Sequence, residues 1–274
     1  MGEFLKKASD LFWRKPVLWL PVIIADLLGT AINQGQGAIV RAMVMRRTEV
    51  HSALGGAVQH VRLTPEIAAQ AVQAATPMVW VSYFLRISLY VIALVVTVAM
   101  VQQLLDRMQA SPTPQEVLRT RKAGMLSLAV RILALDAVGS VAIEWTGRWL
   151  LMHGHKTVAT SPWYHLGTSA TLTVLLALFA GAAALRMLVG APVSDEGANR
   201  AVVMPAMLGV GSLALGFLIG SSIPMGHTPS PAAQIALGTT ASLITAVPFI
   251  LMFIAFGVLA NEERNAVPNV DAEA

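Results

Sequence analysis

Four ionisable residues lie within one apolar stretch of this chain, where hydration is hardest to replace. The stretch AVRILALDAVGSVAIEWTGRW, residues 129–149, contains Arg131, Asp136, Glu144 and Arg148. In a helix that crosses a membrane, Arg131 and Arg148 lie near the two ends, where their long stems reach the interface. Glu144 and Arg148 are four residues apart and are predicted to form an ion pair on the helix surface. Asp136 alone remains near the midplane, where a charge is typical of proton or ion chemistry.

Two further charged residues are predicted at a similar depth in other helices. Asp26 falls near the middle of the first apolar segment, and Arg86 lies within the second. An arginine at the centre of a spanning helix costs about 2.5–3.5 kcal/mol on an insertion scale, so a partner is expected. We therefore expect Arg86 to lie between Asp26 and Asp136, with Glu144 above them.

The second apolar segment places its polar residues on one side. At 100° per residue, four of them fall within a narrow arc that should face protein or water: Ser82, Arg86, Tyr90 and Thr97. The predicted substrate or ion site comprises Asp26, Arg86, Tyr90, Asp136 and Glu144. Because three carboxylates face one arginine, at least one carboxyl is expected to hold a proton or a cation. A structural ion-pair network that fixes helix register is the alternative interpretation.

The histidines form a second candidate site, because all six fall in predicted outer loops or at outer helix ends. His153, His155 and His165 are candidate ligands for a metal such as zinc, but their spacing matches no zinc signature. Solvated histidines are the favoured interpretation. The chain has no HExxH, Walker A or GxGxxG motif, and no predicted span contains a histidine base. We therefore expect no enzymatic activity and no cofactor.

Composition places the chain in a membrane. Only 12% of its residues are charged and 55% are hydrophobic, whereas a soluble domain has about 25% charged residues. The mean hydropathy is +0.65. Basic residues lie at the ends of apolar runs and do not form a patch with aromatic residues. The net charge of +4 therefore reflects the orientation of the chain in the membrane, and it does not indicate nucleic-acid binding. The chain has no cysteine, so a disulfide or thiolate site is excluded.

Six apolar segments are long enough to span a bilayer, which predicts an all-α membrane protein with a six-helix transmembrane bundle. They cover residues 17–34, 77–101, 124–151, 163–190, 201–222 and 232–260, within one domain of residues 1–260. Serine or threonine followed by proline predicts helix starts at Pro77, Pro162 and Pro231. Thr113 and Glu116 predict a capping box.

Three further segments are predicted outside the bundle. Residues 1–15 have the spacing of an amphipathic helix that lies in the headgroup plane. Residues 35–76 are predicted to form a helical outer loop that caps the bundle between the first two spans. Residues 261–274 are polar and are predicted to be a disordered cytosolic tail.

The opening LFWRKPVLWLPVIIADLL resembles the start of many multi-span bacterial membrane proteins, in which an amphipathic helix precedes a Lys-x-Pro-x-Leu-x-x-Pro-like entry into the first span. The matching residues are Lys15, Pro16, Leu18 and Pro21, and the similarity covers about 20 of the 274 residues. The resemblance implies a bacterial inner membrane and no particular activity. Basic residues in the predicted inner segments place both termini in the cytosol.

Transport of a proton, ion or small solute, or a role as a membrane-embedded partner subunit, is the leading hypothesis. A scaffold or assembly factor is the alternative, and a hydrolase or lipid-modifying enzyme using the outer histidines is a third. Small residues on the fourth and fifth spans, including Gly181 and Gly209, favour close helix packing within the chain over a homo-oligomer.

Overall fold

The computed structural model describes residues 2–55, 65–105, 113–159, 161–222 and 231–266. Within these ranges the chain is helical and has no strand. The helices are α1 (Gly2–Arg14), α2 (Leu20–Gly55), α3 (Pro65–Leu105), α4 (Pro114–Thr120), α5 (Lys122–Met152), α6 (Lys156–Ala159), α7 (Pro162–Val189), α8 (Asp195–Ser222) and α9 (Pro231–Ala266). A 3₁₀ turn, Pro16–Trp19, joins α1 to α2.

Six of these helices are long and apolar enough to cross a membrane, which confirms the predicted number of spans. The spanning parts are Pro16–Ile39, Thr76–Leu105, Lys122–Met152, Pro162–Val189, Asp195–Leu218 and Ala246–Ala266. Local capping accounts for several starts. Ser161 caps α7, and the predicted capping box of Thr113 and Glu116 is present at the start of α4. The chain is therefore a multi-pass membrane protein.

Where it is described, the segment between the first two spans is helical and continuous with the spans, and its position as an outer cap stays a prediction. α2 continues to Gly55, and α3 begins at Pro65 and runs through Pro77, which was expected to start the helix. Residues 38–54 contain no glycine or proline, so nothing in this sequence stops a helix before Gly55. Residues 56–64 and the side chains of 43–75 lie outside the described part of the chain.

The bundle is organised around α9, which packs against α1, α2, α3, α7 and α8. Buried valines of α3, including Val98, meet a buried face of α9 that includes Ile254 and Leu259. At the crossing of these helices, a methyl group on Gly257 would lie 2.7 Å from the Cβ of Val101. The core is therefore densest in the half of the bundle that contains the ends of α3 and α9.

α1 is amphipathic, but its apolar residues contact protein. Phe4, Ala8 and Phe12 are buried, and α1 packs against α9. Trp19 donates its indole N–H to the carbonyl oxygen of Phe12 at 2.9 Å and stacks on its ring. The apolar face of α1 is therefore covered by protein, while the position of this helix in the headgroup plane stays a prediction.

The first six residues of the predicted disordered tail are helical, because α9 continues to Ala266. Their side chains are anchored: Glu262 pairs with Lys7 at 3.2 Å and with Arg200 at 3.4 Å. Glu263 accepts bonds from the backbone N–H and hydroxyl of Ser194 at 2.8 and 2.7 Å, just before α8. The N-terminal helix and the end of α9 therefore meet at one end of the bundle. Residues 267–274 lie outside the described part.

Helices α7 and α8 approach each other closely through small residues. A methyl group on Gly181 would lie 2.1 Å from the carbonyl oxygen of Ala201, and one on Gly209 would lie 2.5 Å from the Cγ2 of Thr173. At these two positions the small-residue faces are thus occupied within the chain, as the favoured sequence interpretation predicted.

Arg121 binds the C-terminus of α7 through hydrogen bonds to its last carbonyl groups. The Arg121 guanidinium donates to the carbonyl oxygens of Met187 and, at 3.3 Å, Val189, while Gly190 ends the helix with φ of 76°. Burial lowers the pKa of Arg121, and the charge of Arg264 lowers it further. A cation at a helix C-terminus also complements the helix dipole.

Replacing Arg121 with alanine is therefore expected to lower the free energy of unfolding by about 1.5–3 kcal/mol, the value of a hydrogen bond to a charged group. Thermal unfolding of the detergent-purified variant measures this loss. The matched control is Arg119→Ala, since Arg119 is exposed on the adjacent helix α4. Equal stability of the two variants would show that Arg121 does not hold α7.

Candidate functional site

The candidate site is built on one face of α3. Tyr83, Arg86 and Tyr90 are three and four residues apart, so they project from the same side of the helix. This side meets α2 on one flank and α5 on the other, because α3 packs against both helices. The face belongs to the spanning part of α3, Thr76–Leu105. Each of its three polar groups therefore needs a partner from protein or water.

Asp26 on α2 is held by Tyr90. The phenol Oη of Tyr90 donates to Oδ1 of Asp26 at 2.8 Å, and both side chains are half-buried. Asp26 and Tyr90 each lie near the middle of their span. This bond brings together two of the predicted site residues and fixes the register between α2 and α3.

Asp136 on α5 is held in the same manner by a second tyrosine. The phenol of Tyr83 donates to Oδ2 of Asp136, and both side chains are half-buried. Sequence reasoning missed Tyr83, although its spacing of seven residues from Tyr90 places it on the same helical face. Two tyrosines on one face of α3 thus each donate a hydrogen bond to a mid-span aspartate, one on α2 and the other on α5.

Arg86 does not form the predicted ion pairs. Its Nη1 donates to Oδ1 of Asn33 on α2 at 3.2 Å, and the ion pairs among the described residues do not include Arg86. Its stem passes Gly29, where a methyl group would lie 3.5 Å from Nε. The Nε atom is buried and has no hydrogen-bond partner among the described residues.

The register of α2 against α3 explains this correction. Because α2 and α3 are antiparallel and Asp26 is opposite Tyr90, the position opposite Arg86 is one turn further along α2. The arginine extends from there toward Asn33 and the end of the span, as long basic side chains do in membranes. Asn33, seven residues after Asp26, is a second site residue that helical spacing alone would have found.

Glu144 also lies outside the site. It pairs with Arg148 at 2.5 Å, and the two side chains are 64% and 72% exposed. The predicted pair four residues apart is confirmed, whereas none of the described contacts places Glu144 above Arg86. The local partner on α5 satisfies the carboxylate, so the chain needs no contact to α3 for it.

The histidines are not gathered in the described part of the chain. Nδ1 of His153 lies 2.8 Å from the carbonyl oxygen of Trp149, and its ring stacks on the indole. His155 is exposed, and the side chain of His165 is outside the described side chains. Among the residues that are described, no three histidine, aspartate or glutamate side chains form a metal-binding group.

An apolar cavity of about 320 Å³ adjoins the site. It is lined by α3, α5, α7, α8 and α9, which contact one another in a ring. Tyr90 lines the cavity, and its hydroxyl donates to Asp26. The polar face of α3 and the cavity therefore share one residue.

Six apolar spans define the class of this protein as a multi-pass membrane protein. No protein-family model, no curated protein and no solved structure matches the chain. The chemistry of the site therefore follows from its own contacts. A neutral phenol satisfies one carboxylate oxygen without carrying a charge that would neutralise it.

Proposed function

We propose that this membrane protein is not an enzyme and that Asp26 and Asp136 exchange a proton or a monovalent cation, in transport of that ion or of a small solute. The observation that carries the proposal is the pair of phenol–carboxylate bonds, Tyr90 to Asp26 and Tyr83 to Asp136. An ionised carboxylate deep in a membrane is costly unless a positive charge or a proton accompanies it. Each carboxylate keeps lone pairs beyond the one that its phenol fills, and these can accept a proton or a cation.

The bonding of Arg86 favours this function over a scaffold with a structural ion-pair network. Contacts between ions hold such a network together, whereas the guanidinium of Arg86 donates to the neutral amide of Asn33. The ion pairs of the described residues lie elsewhere, at the ends of helices or on the exposed face of α5. Arg86 instead contributes a positive potential beside both tyrosines.

The proposed location is a bacterial inner membrane with both termini in the cytosol and α1 in the headgroup plane. The contact of Lys7 with Glu262 supports termini on a common side. Basic residues are concentrated in the segments at that end, which is the pattern of a cytosolic face. They include Lys6, Lys7, Arg14, Arg121, Lys122, Arg186, Arg200 and Arg264.

Thermal unfolding of the purified protein tests ion binding without knowledge of the transported solute. A cation at 100 times its Kd stabilises the folded state by about 2.7 kcal/mol, which raises Tm by roughly 5–10 °C for a chain of this size. The experiment compares the Tm in Na⁺, in K⁺ and in N-methylglucamine at constant ionic strength. It also compares the Tm at several pH values near neutrality. The wild type is expected to respond to a cation or to pH.

The variant Asp26→Asn/Asp136→Asn is expected to lose this response. Asp10→Asn is the matched control and should keep it, because Asp10 is exposed on α1 and outside the spans. A wild type whose Tm responds to neither variable would overturn the proposed function. The same conclusion follows if the double variant responds as the wild type does.

A further inference from the structure

The lining of the cavity beside Tyr90 extends along α7 and α9. On α7 its lining runs from Thr173 to Ala184, twelve residues whose ends lie about 16 Å apart at 1.5 Å per residue. On α9 it runs from Phe249 to Phe256. It begins near the middle of the bundle and extends toward the end where α7 and α9 terminate. A volume of about 320 Å³ over this length accommodates an extended apolar chain.

The walls give a polar occupant little to bind. The lining is almost entirely apolar, and its hydroxyl groups belong to Tyr90 and Thr173. Tyr90 already donates to Asp26, and Thr173 donates to the carbonyl oxygen of Ser169 at 2.9 Å. Water needs two to four polar partners in a cavity, and a polar solute needs convergent polar groups. Neither requirement is met.

An apolar cavity with no occupant would leave its lining without dispersion contacts along the whole length. Small residues of α7 create the space, among them Ala177, Ala180 and Ala184. The cavity is partly open and lies within the membrane-spanning part of the bundle. The apolar molecules that surround this part in a bilayer are lipid chains.

We propose that the cavity is a binding site for one acyl chain of a membrane lipid. The chain lies parallel to α7, between the small residues of that helix and the phenylalanines of α9. Its end at the middle of the bundle contacts the ring of Tyr90, whose hydroxyl faces Asp26. This site does not depend on ion exchange at the aspartates.

Photolabelling in vesicles tests the proposal. The probe is phosphatidylcholine with a diazirine in the middle of one acyl chain, and labelled residues are mapped by mass spectrometry. We expect label on lining residues of α7, such as Ala177 and Ala180, as well as on Phe179, which is exposed on the outside of the same helix. Wild-type protein labelled at Phe179 but not at the lining residues would overturn the proposal.

Filling the cavity distinguishes a bound chain from bulk lipid. In Ala180→Leu the label on the lining residues is expected to be lost, while the label on Phe179 stays. Ala183→Leu is the matched control, because Ala183 is on the same helix and does not line the cavity. Unchanged labelling of the lining in Ala180→Leu would contradict the proposal. If this variant does not fold, the distribution of label in the wild type still decides whether an acyl chain occupies the cavity.

Discussion

Gly181→Ala is expected to lower the free energy of unfolding by about 1–3 kcal/mol, the usual cost of overpacking a well-packed contact. The added methyl group would lie 2.1 Å from the carbonyl oxygen of Ala201 and 3.0 Å from its carbonyl carbon. These are backbone atoms of α8, so relief requires the two helices to move apart. The change should therefore weaken the contact between α7 and α8 along its length.

A proline explains why the contact is so close. Pro205 lies inside α8 and has no N–H, so the carbonyl oxygen of Ala201, four residues earlier, loses its helical donor. Gly181 brings its Cα–H group up to this oxygen, a weak interaction that recurs where helices meet. Alanine at residue 181 would thus add a steric clash and also separate the oxygen from its neighbour on α7.

Thermal unfolding of purified Gly181→Ala measures the loss, with Gly211→Ala as the matched control. A methyl group on Gly211 would have no atom within 4 Å, and alanine favours a helix over glycine by up to about 1 kcal/mol. The control should therefore be as stable as the wild type or more stable. Equal unfolding temperatures for the two variants would mean that α7 and α8 do not meet as described.

The features that were predicted correctly from the sequence are local. Six spans follow from the length of apolar segments, and the start of α7 follows from Ser161 before Pro162. The ion pair of Glu144 with Arg148 follows from a spacing of four residues. Each of these depends on residues within one helix, so no knowledge of the neighbouring helices is needed.

The features that were missed depend on how the helices pack. Whether Arg86 meets Asp26 or Asn33 is decided by the register of α2 against α3, which differs by only one or two helical turns between the alternatives. The covering of Phe4 and Phe12 by protein depends on the position of α9. The helical state of residues 261–266 depends on partners far away in sequence, such as Lys7.

Only one of the two site tyrosines was predicted from the sequence. Tyr90 was included in the predicted site because it shares a face with Arg86, while Tyr83 was left out although its spacing also fits. The partners expected for the aspartates were charged groups, whereas a phenol is a neutral donor that also satisfies a buried carboxylate. Including neutral donors at helical spacing would have identified both phenol–carboxylate pairs, though not which aspartate each tyrosine binds.

Asp26→Asn and Asp136→Asn are expected to abolish the proposed proton or cation exchange while leaving the protein folded. Asparagine has nearly the shape of aspartate and still accepts the hydrogen bonds of Tyr90 and Tyr83, so the contacts between helices persist. It neither ionises nor binds a proton at neutral pH. Each single change should remove one exchange site, and the double change should remove both.

Infrared difference spectroscopy of the reconstituted protein tests most directly whether Asp26 and Asp136 exchange a proton or a cation. A step in pH or in cation concentration is expected to produce a carboxyl difference band in the wild type. That band should decrease in each single asparagine variant and vanish in the double variant, while Asp10→Asn leaves it unchanged. A wild-type spectrum without such a band, or one that survives in the double variant, would contradict the assignment.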